Sequence, residues 1–156
     1  MSEKIISIMN IEELEETMSL VKEVFDEFEA PYYTKEGIES FYKFANYENI
    51  KEKLNESMQI FVEKDNNKII GMIAIRDYSH IALLFVKKEY HKQGIATKLM
   101  NTAIEYCKQN NNSLKNITVN SSPYAVEFYH KKGFEDINKE QTVNGIISTP
   151  MRLKIN

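Results

Sequence analysis

The hydrophobic positions along this chain follow two periodicities, one typical of helices and one typical of strands. Apolar residues three or four apart, with acidic residues between them, predict a helix over residues 11–28. The same spacing predicts one or two helices over residues 35–55, with a break near residues 47–49. Short apolar runs rich in β-branched residues predict strands at residues 5–8, 60–62 and 68–75. The last two strands are expected to form a hairpin around residues 65–67.

The C-terminal half alternates strands with single helices. An apolar run predicts a strand at residues 81–86, and the apolar face of the next helix includes Cys107. Further strands are predicted near residues 117–119, 135–142 and 146–155. Asn144 and Gly145 are a strong signal for a hairpin turn between the last two. Helices inserted singly between strands predict an α/β or α+β fold with a mixed sheet, in one domain over residues 1–156.

Residues 81–96 combine an apolar strand, a basic turn that contains Gly94, and the start of a helix. This order leaves backbone N–H groups and the positive end of a helix at the tip of a buried strand, which predicts a phosphate or diphosphate site. Four lysines make the turn positive: Lys87, Lys88, Lys92 and Lys98. A Walker loop and a dinucleotide fingerprint both fail here, because Gly94 is the only glycine that the turn supplies.

A second group of informative residues follows at residues 117–134. Ser122 is a natural N-cap, and Pro123 suits the first helical position, where its missing N–H costs nothing. Gly133 is expected to end this helix as a C-cap glycine. The segment therefore predicts a short strand, a turn and a short helix that carries Tyr129.

These two segments resemble the signatures of the GNAT superfamily of acyl-CoA-dependent N-acyltransferases. His91, Gly94 and Ala96 stand in the first, fourth and sixth places of Gln/Arg-x-x-Gly-x-Gly/Ala, and the histidine departs from the usual Gln or Arg. Residues 120–134 match the pattern Asn-x-x-x-x-Ala-x-x-Phe-Tyr-x-x-x-Gly-Phe without a gap. The resemblance is close over residues 69–134.

The resemblance implies a sheet that splays between two parallel central strands, with the pantetheine arm of acetyl-CoA lying in the gap. The positions that it implies for cofactor binding are Leu84, Phe85, Val86, His91, Lys92, Gln93, Gly94, Ile95, Ala96, Thr97, Asn120 and Tyr129. Asn120 would hydrogen-bond the cofactor arm or the acceptor, or serve only as a polar strand end. In the family, backbone N–H groups at a strand bulge polarise the thioester carbonyl, and this bulge is expected at Phe85 or Val86.

The resemblance also implies the catalytic groups. Tyr129 would be the general acid that protonates the departing CoA thiolate, since a phenol with a reference pKa of ~10 keeps its proton at neutral pH. His80 is the candidate that takes the proton of the amine, directly or through a water; the alternative is a partly exposed residue without a catalytic role. Cys107 is expected to be a buried, unreactive thiol, so direct attack by the amine in a ternary complex is predicted. The histidines lack metal-ligand spacing, and no metal is expected.

The first helices would form the acceptor wall in a protein of this family. Their acidic residues are Glu12, Glu13, Glu15, Glu16, Glu23, Asp26, Glu27 and Glu29. With the aromatic residues of the segment 28–47, they favour a small cationic amine as acceptor. The alternative interpretation is a solvated acidic face beside ordinary core aromatics.

Charge and composition restrict the partners further. A net charge of -3 and a pI near 5.7 argue against nucleic acid. No apolar run is long enough to span a membrane, residues 1–5 begin no signal peptide, and a single cysteine suits a reducing cytoplasm. The prediction is an acetyl-CoA-dependent N-acetyltransferase of a small amine. The alternatives are a non-catalytic CoA-binding or sensing module and a protein or peptide N-acetyltransferase, and the resemblance leaves a homodimer open.

Overall fold

The segments with these two periodicities form one sheet flanked by helices in the computed structural model, which describes residues 3–156. Met1 and Ser2, which begin the stretch predicted not to be a signal peptide, lie outside the described residues. The α-helices of the described part are α1 Leu14–Val24, α2 Lys35–Phe44, α3 Tyr47–Leu54, α4 Ile95–Asn110 and α5 Val126–Lys131. The strands are β1 Lys4–Ile8, β2 Met58–Asp65, β3 Lys68–Arg76, β4 His80–Val86, β5 Asn116–Ser121, β6 Glu135–Asp136, β7 Gln141–Val143 and β8 Ile146–Lys154. Among residues 3–156, no helix combines the length and the apolarity that crossing a bilayer requires.

The sheet is mixed, with the order β1-β2-β3-β4-β5-β8-β6, and β7 pairs with β8 outside this path. The β4–β5 pair is parallel, whereas the other pairs are antiparallel. β4 and β5 pair only at His80 with Thr118 and at Ile81 with Val119, and then separate. The splay between two parallel central strands is therefore confirmed.

Both predicted hairpin turns are confirmed by their backbone. Asn66 and Asn67, between β2 and β3, have φ angles of 52° and 69°, and Asn144 and Gly145, between β7 and β8, have 52° and 79°. Two successive residues with positive φ are the requirement of the turn that matches the twist of a hairpin. The strand predicted near residues 135–142 instead divides into β6 and β7. The polar run Asn-Lys-Glu at 138–140 offers no apolar side chain to pack between them.

Two apolar layers cover the two faces of the sheet. Successive side chains of a strand point to opposite faces, so Phe61 packs with α4 while its neighbours Ile60 and Val62 pack with α1 and α3. The helix predicted over residues 11–28 is confirmed, with a wide π-helical turn at Phe25–Glu29 as its last part. Cys107, on the apolar face of α4, is buried as predicted, and burial raises the pKa of its thiol to about 11.

Candidate active site

A cleft of about 290 Å³ opens where β4 and β5 separate. It lies between the edges of the two strands, the turn after α1, helix α2 and the start of α5. Its lining residues are Glu29, Tyr33, Phe41, Phe44, Arg76, His80, Ile81, Ala82, Leu83, Leu84, Phe85, Val119, Asn120, Ser121, Ser122, Ala125, Tyr129 and Ile146. The predicted site residues Tyr129, His80, Leu84, Phe85 and Asn120 are thus brought together in one cavity.

The basic turn at the end of β4 is open to solvent. Gly94 is exposed, has a φ of 79° and stands immediately before α4, and a Cβ at this position would meet no atom of the protein. Its requirement for glycine is conformational, because residues with a Cβ rarely adopt this left-handed region. The Nε2 of His91 donates a hydrogen bond to the Val86 carbonyl at 2.7 Å, which ties the turn to β4. The first turn of α4 therefore lies directly beside this open turn, as predicted. That its backbone amides bind a diphosphate stays a prediction.

The lysines of this turn differ in their partners. Lys88 pairs with Glu27 at 3.1 Å, and Lys98 pairs with the buried Glu63 at 3.4 Å. Lys87 and Lys92 make no ion pair with any residue of the described part of the chain. The turn therefore keeps positive charge that an anion can neutralise.

Tyr129 lies on α5 with only 4% of its surface exposed, packed edge-on against Phe128 and Phe134. Tyr129 lines the cleft, and its hydroxyl makes no hydrogen bond to another residue within 3–156. Burial raises the pKa of this phenol, and the charge of Glu29 raises it further. The phenol therefore holds its proton at neutral pH, which is the state that a general acid needs.

His80, at the start of β4, lines the opposite side of the cleft. Its Nδ1 is 2.7 Å from the Thr118 hydroxyl, in a hydrogen bond across the two central strands. Burial lowers the pKa of the imidazole to about 4; Arg76 adds to this effect and Asp77 opposes it. The ring is therefore neutral at neutral pH, and its role as proton acceptor stays a prediction.

The structure adds Glu29 to the residues of the candidate site. From the sequence it was one of eight acids in the first helices, and no motif set it apart from the others. Burial raises the pKa of its carboxyl to about 7, an effect that the Ser122 side chain partly opposes. Its charge in turn raises the pKa of Tyr33, Tyr124 and Tyr129, so it lies within electrostatic range of all three phenols. One signal was available: Glu29 follows the buried Phe25 by four residues, a spacing that places it on the apolar face of the first helix.

Two local predictions of the sequence are wrong. The register of β3 and β4 shifts so that Ala74 pairs with Leu83 and Ile75 with Ile81, which puts the bulge at Ala82 and not at Phe85 or Val86. Those two residues pair regularly because their side chains are buried in the cores on either face.

The second error concerns Ser122, which does not cap α5. Residues 123–125 form a turn in which the Ala125 N–H donates to the Ser122 carbonyl, and the helix starts at Val126. The Ser122 hydroxyl is buried in the cleft wall without a hydrogen-bond partner. Gly133 follows the helix with a φ of 95°, as predicted for a C-cap glycine.

Comparison with known proteins identifies similar sequences and folds. The sequence model of the acetyltransferase (GNAT) domain matches residues 29–155. An uncharacterized N-acetyltransferase of Methanocaldococcus jannaschii is 27% identical over 146 residues, which are 85% of this chain and 62% of that protein. The chain spans 62% or less of the length of each curated relative that it matches.

Solved structures show the same architecture. A GCN5-related N-acetyltransferase from Rhodopseudomonas palustris superposes with a TM-score of 0.84 at 18% identity, over 99% of this chain and 98% of that one. The PaiA N-acetyltransferase from Thermoplasma acidophilum, solved in complex with coenzyme A, gives a TM-score of 0.78 at 20% identity, over 98% and 99% of the two chains. At these identities the likeness shows the fold.

Proposed function

The chain belongs to the GNAT acetyltransferase family, and from that premise we propose that it transfers an acetyl group from acetyl-CoA to a primary amine. The amine attacks the thioester directly while both substrates are bound. The observation that carries the proposal is Tyr129, which lines the cleft between the separating strands β4 and β5 and whose hydroxyl has no partner among the described residues. The open Gly94 turn at the end of the same β4 supports it.

Acetyl-CoA is proposed to bind along β4, with its diphosphate on the Gly94 turn and its pantetheine arm in the splay. The 16-residue helix α4 directs its positive end at the turn, and Lys87 and Lys92 supply further charge. The relative from Thermoplasma acidophilum was solved with coenzyme A on a similar fold. The proposed cofactor contacts are those that the motifs predict: Leu84, Phe85, Val86, Asn120, Tyr129 and residues 91–97.

Tyr129 is proposed to protonate the departing thiolate. Its raised pKa keeps the proton available until the thiolate forms, and its free hydroxyl needs no other bond to be broken first. His80 remains a candidate for accepting the proton of the amine, although a pKa near 4 makes it a weak base at neutral pH.

The acceptor is proposed to be a small amine. The N-terminus of α2 packs against the β7–β8 turn so closely that a Cβ on Gly37 would overlap the Gly145 carbonyl oxygen. Ser40 also donates a hydrogen bond to the Asn144 carbonyl at 2.8 Å. These contacts hold the hairpin against the helix beside the cleft, which favours a compact molecule over a peptide. A reducing cytoplasm is the proposed location, because the single cysteine of the sequence is a buried thiol.

The test is release of CoA thiol from acetyl-CoA with a panel of amines. Tyr129→Phe is expected to lower kcat by roughly 10²–10⁴ while calorimetric binding of acetyl-CoA stays unchanged, because the loss of a general acid affects the chemical step. Tyr106→Phe, at a tyrosine of α4 that packs against Phe61 and Tyr78 and does not line the cleft, is the matched control and should keep full activity.

The same assay separates the alternatives. A non-catalytic CoA-binding module would bind acetyl-CoA and release no thiol with any amine of the panel. A protein or peptide N-acetyltransferase would turn over peptides with free N-termini or lysines faster than small amines. Equal kcat of the wild type and Tyr129→Phe would contradict the proposed general acid.

A further inference from the structure

We propose that Glu29 binds the ammonium group of the acceptor in the cleft and takes its proton, a role that rests on the function proposed above. The sequence counts this residue only as one of eight acids in the expected acceptor wall and gives it no role in the chemistry. The proposal names both a catalytic group and the chemistry of the acceptor that it recognises.

The backbone places the Glu29 carboxyl in the cleft. The π-helical turn Phe25–Glu29 ends the first helix beside the turns that carry His91 and Tyr124, whose rings lie at centroid distances of 5.0 and 5.4 Å from Phe28. Glu29 lines the cavity that Tyr129 also lines. An acceptor nitrogen near Glu29 therefore shares one enclosed space with the phenol proposed to act on the thiolate.

The Glu29 side chain is half-buried in the cleft wall, and its desolvated carboxylate has no counter-ion. It forms no ion pair with a residue in the described part of the chain, and the other charged or titratable side chains lining the cleft are Arg76, His80, Tyr33 and Tyr129. Arg76 is bonded to Asp77 at 3.2 Å, and His80 is neutral. Because an unpaired buried carboxylate is costly, a cationic ligand at this position gains by supplying the missing charge.

The hydroxyl beside the Glu29 carboxyl also has room for a ligand. Ser122 is only 8% exposed and lines the same cleft; its hydroxyl lies near enough to Glu29 to oppose the rise in the pKa of that carboxyl, yet it makes no hydrogen bond of normal geometry within the described residues. A buried hydroxyl normally has one. The hydroxyl can accept an N–H of an ammonium group while the carboxylate accepts another.

The walls beside Glu29 specify the rest of the acceptor. Tyr33, Phe41 and Phe44 line this part of the cleft, and the rings of Phe25 and Phe41 stack at 3.7 Å behind it. Aromatic faces attract a cation and pack against an apolar chain. The expected acceptor is a primary amine on a small aliphatic or aromatic body.

The basicity of Glu29 suits the task better than that of His80. A carboxyl with a pKa near 7 is matched to a proton acceptor at neutral pH, whereas the imidazole with a pKa near 4 is not. The phenols of Tyr33, Tyr124 and Tyr129 around Glu29 all have raised pKa values and stay neutral. The other carboxylate that acts on Tyr124 is that of Glu27, which pairs with Lys88 at 3.1 Å.

The protons balance in this scheme. The ammonium gives one proton to the Glu29 carboxylate, which later passes it to solvent, and the free amine forms a C–N bond with the thioester carbonyl carbon. The C–S bond breaks, and Tyr129 protonates the thiolate. A second proton leaves the new amide nitrogen and restores the phenol. The products are the amide, CoA thiol and one proton.

The kinetic test is the pH dependence of kcat/KM for the wild type, Glu29→Gln and His80→Gln. Wild-type kcat/KM should fall below about pH 7 as Glu29 is protonated, with the pH of that fall set by the pKa of its carboxyl. Glu29→Gln should lose roughly 10²–10⁴ in kcat/KM at pH 8 and no longer show this acidic limb, while acetyl-CoA binding is retained. Glu52→Gln, an exposed acid on α3 that does not line the cleft, is the control and should match the wild type. An acidic limb that persists in Glu29→Gln and disappears in His80→Gln overturns the assignment.

A binding measurement keeps the inference separate from the proposed function. Benzylamine and benzyl alcohol are titrated into the CoA-loaded protein and followed by saturation-transfer NMR, which needs no turnover. The wild type should bind benzylamine in preference to the alcohol, and Glu29→Gln should lose that preference. Absence of turnover with this preference present contradicts only the proposed function. Equal binding of the two ligands by the wild type, or an unchanged preference in Glu29→Gln, overturns the role of Glu29.

Discussion

Glu29 and Gly94 show how one residue sets a local property of the site. Gly94 is needed for its backbone conformation, because a φ of 79° is readily adopted by glycine and rarely by residues with a Cβ. Space is not the reason, since no atom of the protein lies within 4 Å of the position of a Cβ. Glu29 is defined by its surroundings, since burial moves the pKa of its carboxyl to about 7. Neither property follows from the residue type alone; each depends on the position that the fold gives it.

Stability should respond to Glu29 in a pH-dependent way. The native pKa lies above the ordinary value of 4.5, so the folded state binds more protons than the unfolded state between about pH 4.5 and 7. This carboxyl therefore lowers stability as the pH rises through that window. Glu29→Gln should raise the free energy of unfolding at pH 8, by up to about 3 kcal/mol, and leave it nearly unchanged at pH 4.

Urea denaturation of both proteins at pH 4 and pH 8 checks this expectation. Glu52→Gln is again the control, because its exposed carboxyl should change stability equally little at both values. A Glu29→Gln variant that is destabilised at pH 8 would show that the carboxylate has a stabilising partner.

At the scale of elements, the acceptor side depends on contacts between segments far apart in sequence. The N-terminus of α2 meets the β7–β8 turn through two glycines, Gly37 and Gly145, and through the bond from Ser40 to Asn144. Phe41 of α2 and Ile146 of β8 then line the same cleft. The hairpin that the sequence predicts from Asn144 and Gly145 thereby also closes one side of the candidate site.

Gly37→Ala tests this packing. Alanine in a helix is ordinarily favourable by about 1 kcal/mol over glycine, but here its Cβ would overlap the Gly145 carbonyl oxygen. We expect a net loss of about 1–3 kcal/mol in the free energy of unfolding, from the displacement of the hairpin. Chemical denaturation measures it, and Glu39→Ala, at an exposed position of the same helix, should lose none. A Gly37→Ala protein more stable than the wild type would contradict the contact.

At the scale of the whole molecule, the sheet has two parts that meet at a narrow junction. β1–β4 and β5–β8 are joined in the sheet by two residue pairs, His80 with Thr118 and Ile81 with Val119. The proposed cofactor would lie in the gap beyond that junction. Its binding should therefore connect both parts and stabilise the fold as a unit.

Acetyl-CoA is expected to raise the unfolding free energy by about 2.7 kcal/mol at a concentration of 100 Kd, because it binds only the folded protein. Differential scanning fluorimetry with increasing acetyl-CoA measures the rise in Tm, and free adenosine is the ligand control. Gly94→Glu should show no rise, since its side chain places a negative charge at the open anion site. A wild-type-like rise in Gly94→Glu would refute the assignment of the turn.

Local sequence determined much of the fold and the turn chemistry. The helix over residues 11–28, the paired asparagines of the first hairpin, Asn144-Gly145 and Gly133 each have a conformational preference that acts within a few residues. The motifs around Gly94 and Tyr129 could be recognised in the sequence for the same reason, because the first turn of a helix and a short aromatic helix are local structures. The GNAT fold follows from their order along the chain.

Only the tertiary structure decided the rest of the site. Three features depend on which distant segments pack together: the bulge at Ala82, the buried Ser122 hydroxyl and the desolvated Glu29 carboxyl. Strand register, desolvation and the charge of neighbours from other elements are not properties of a short window of sequence. For that physical reason the sequence located the proposed cofactor turn and general acid, and the packed molecule added the carboxylate that is proposed to bind the acceptor.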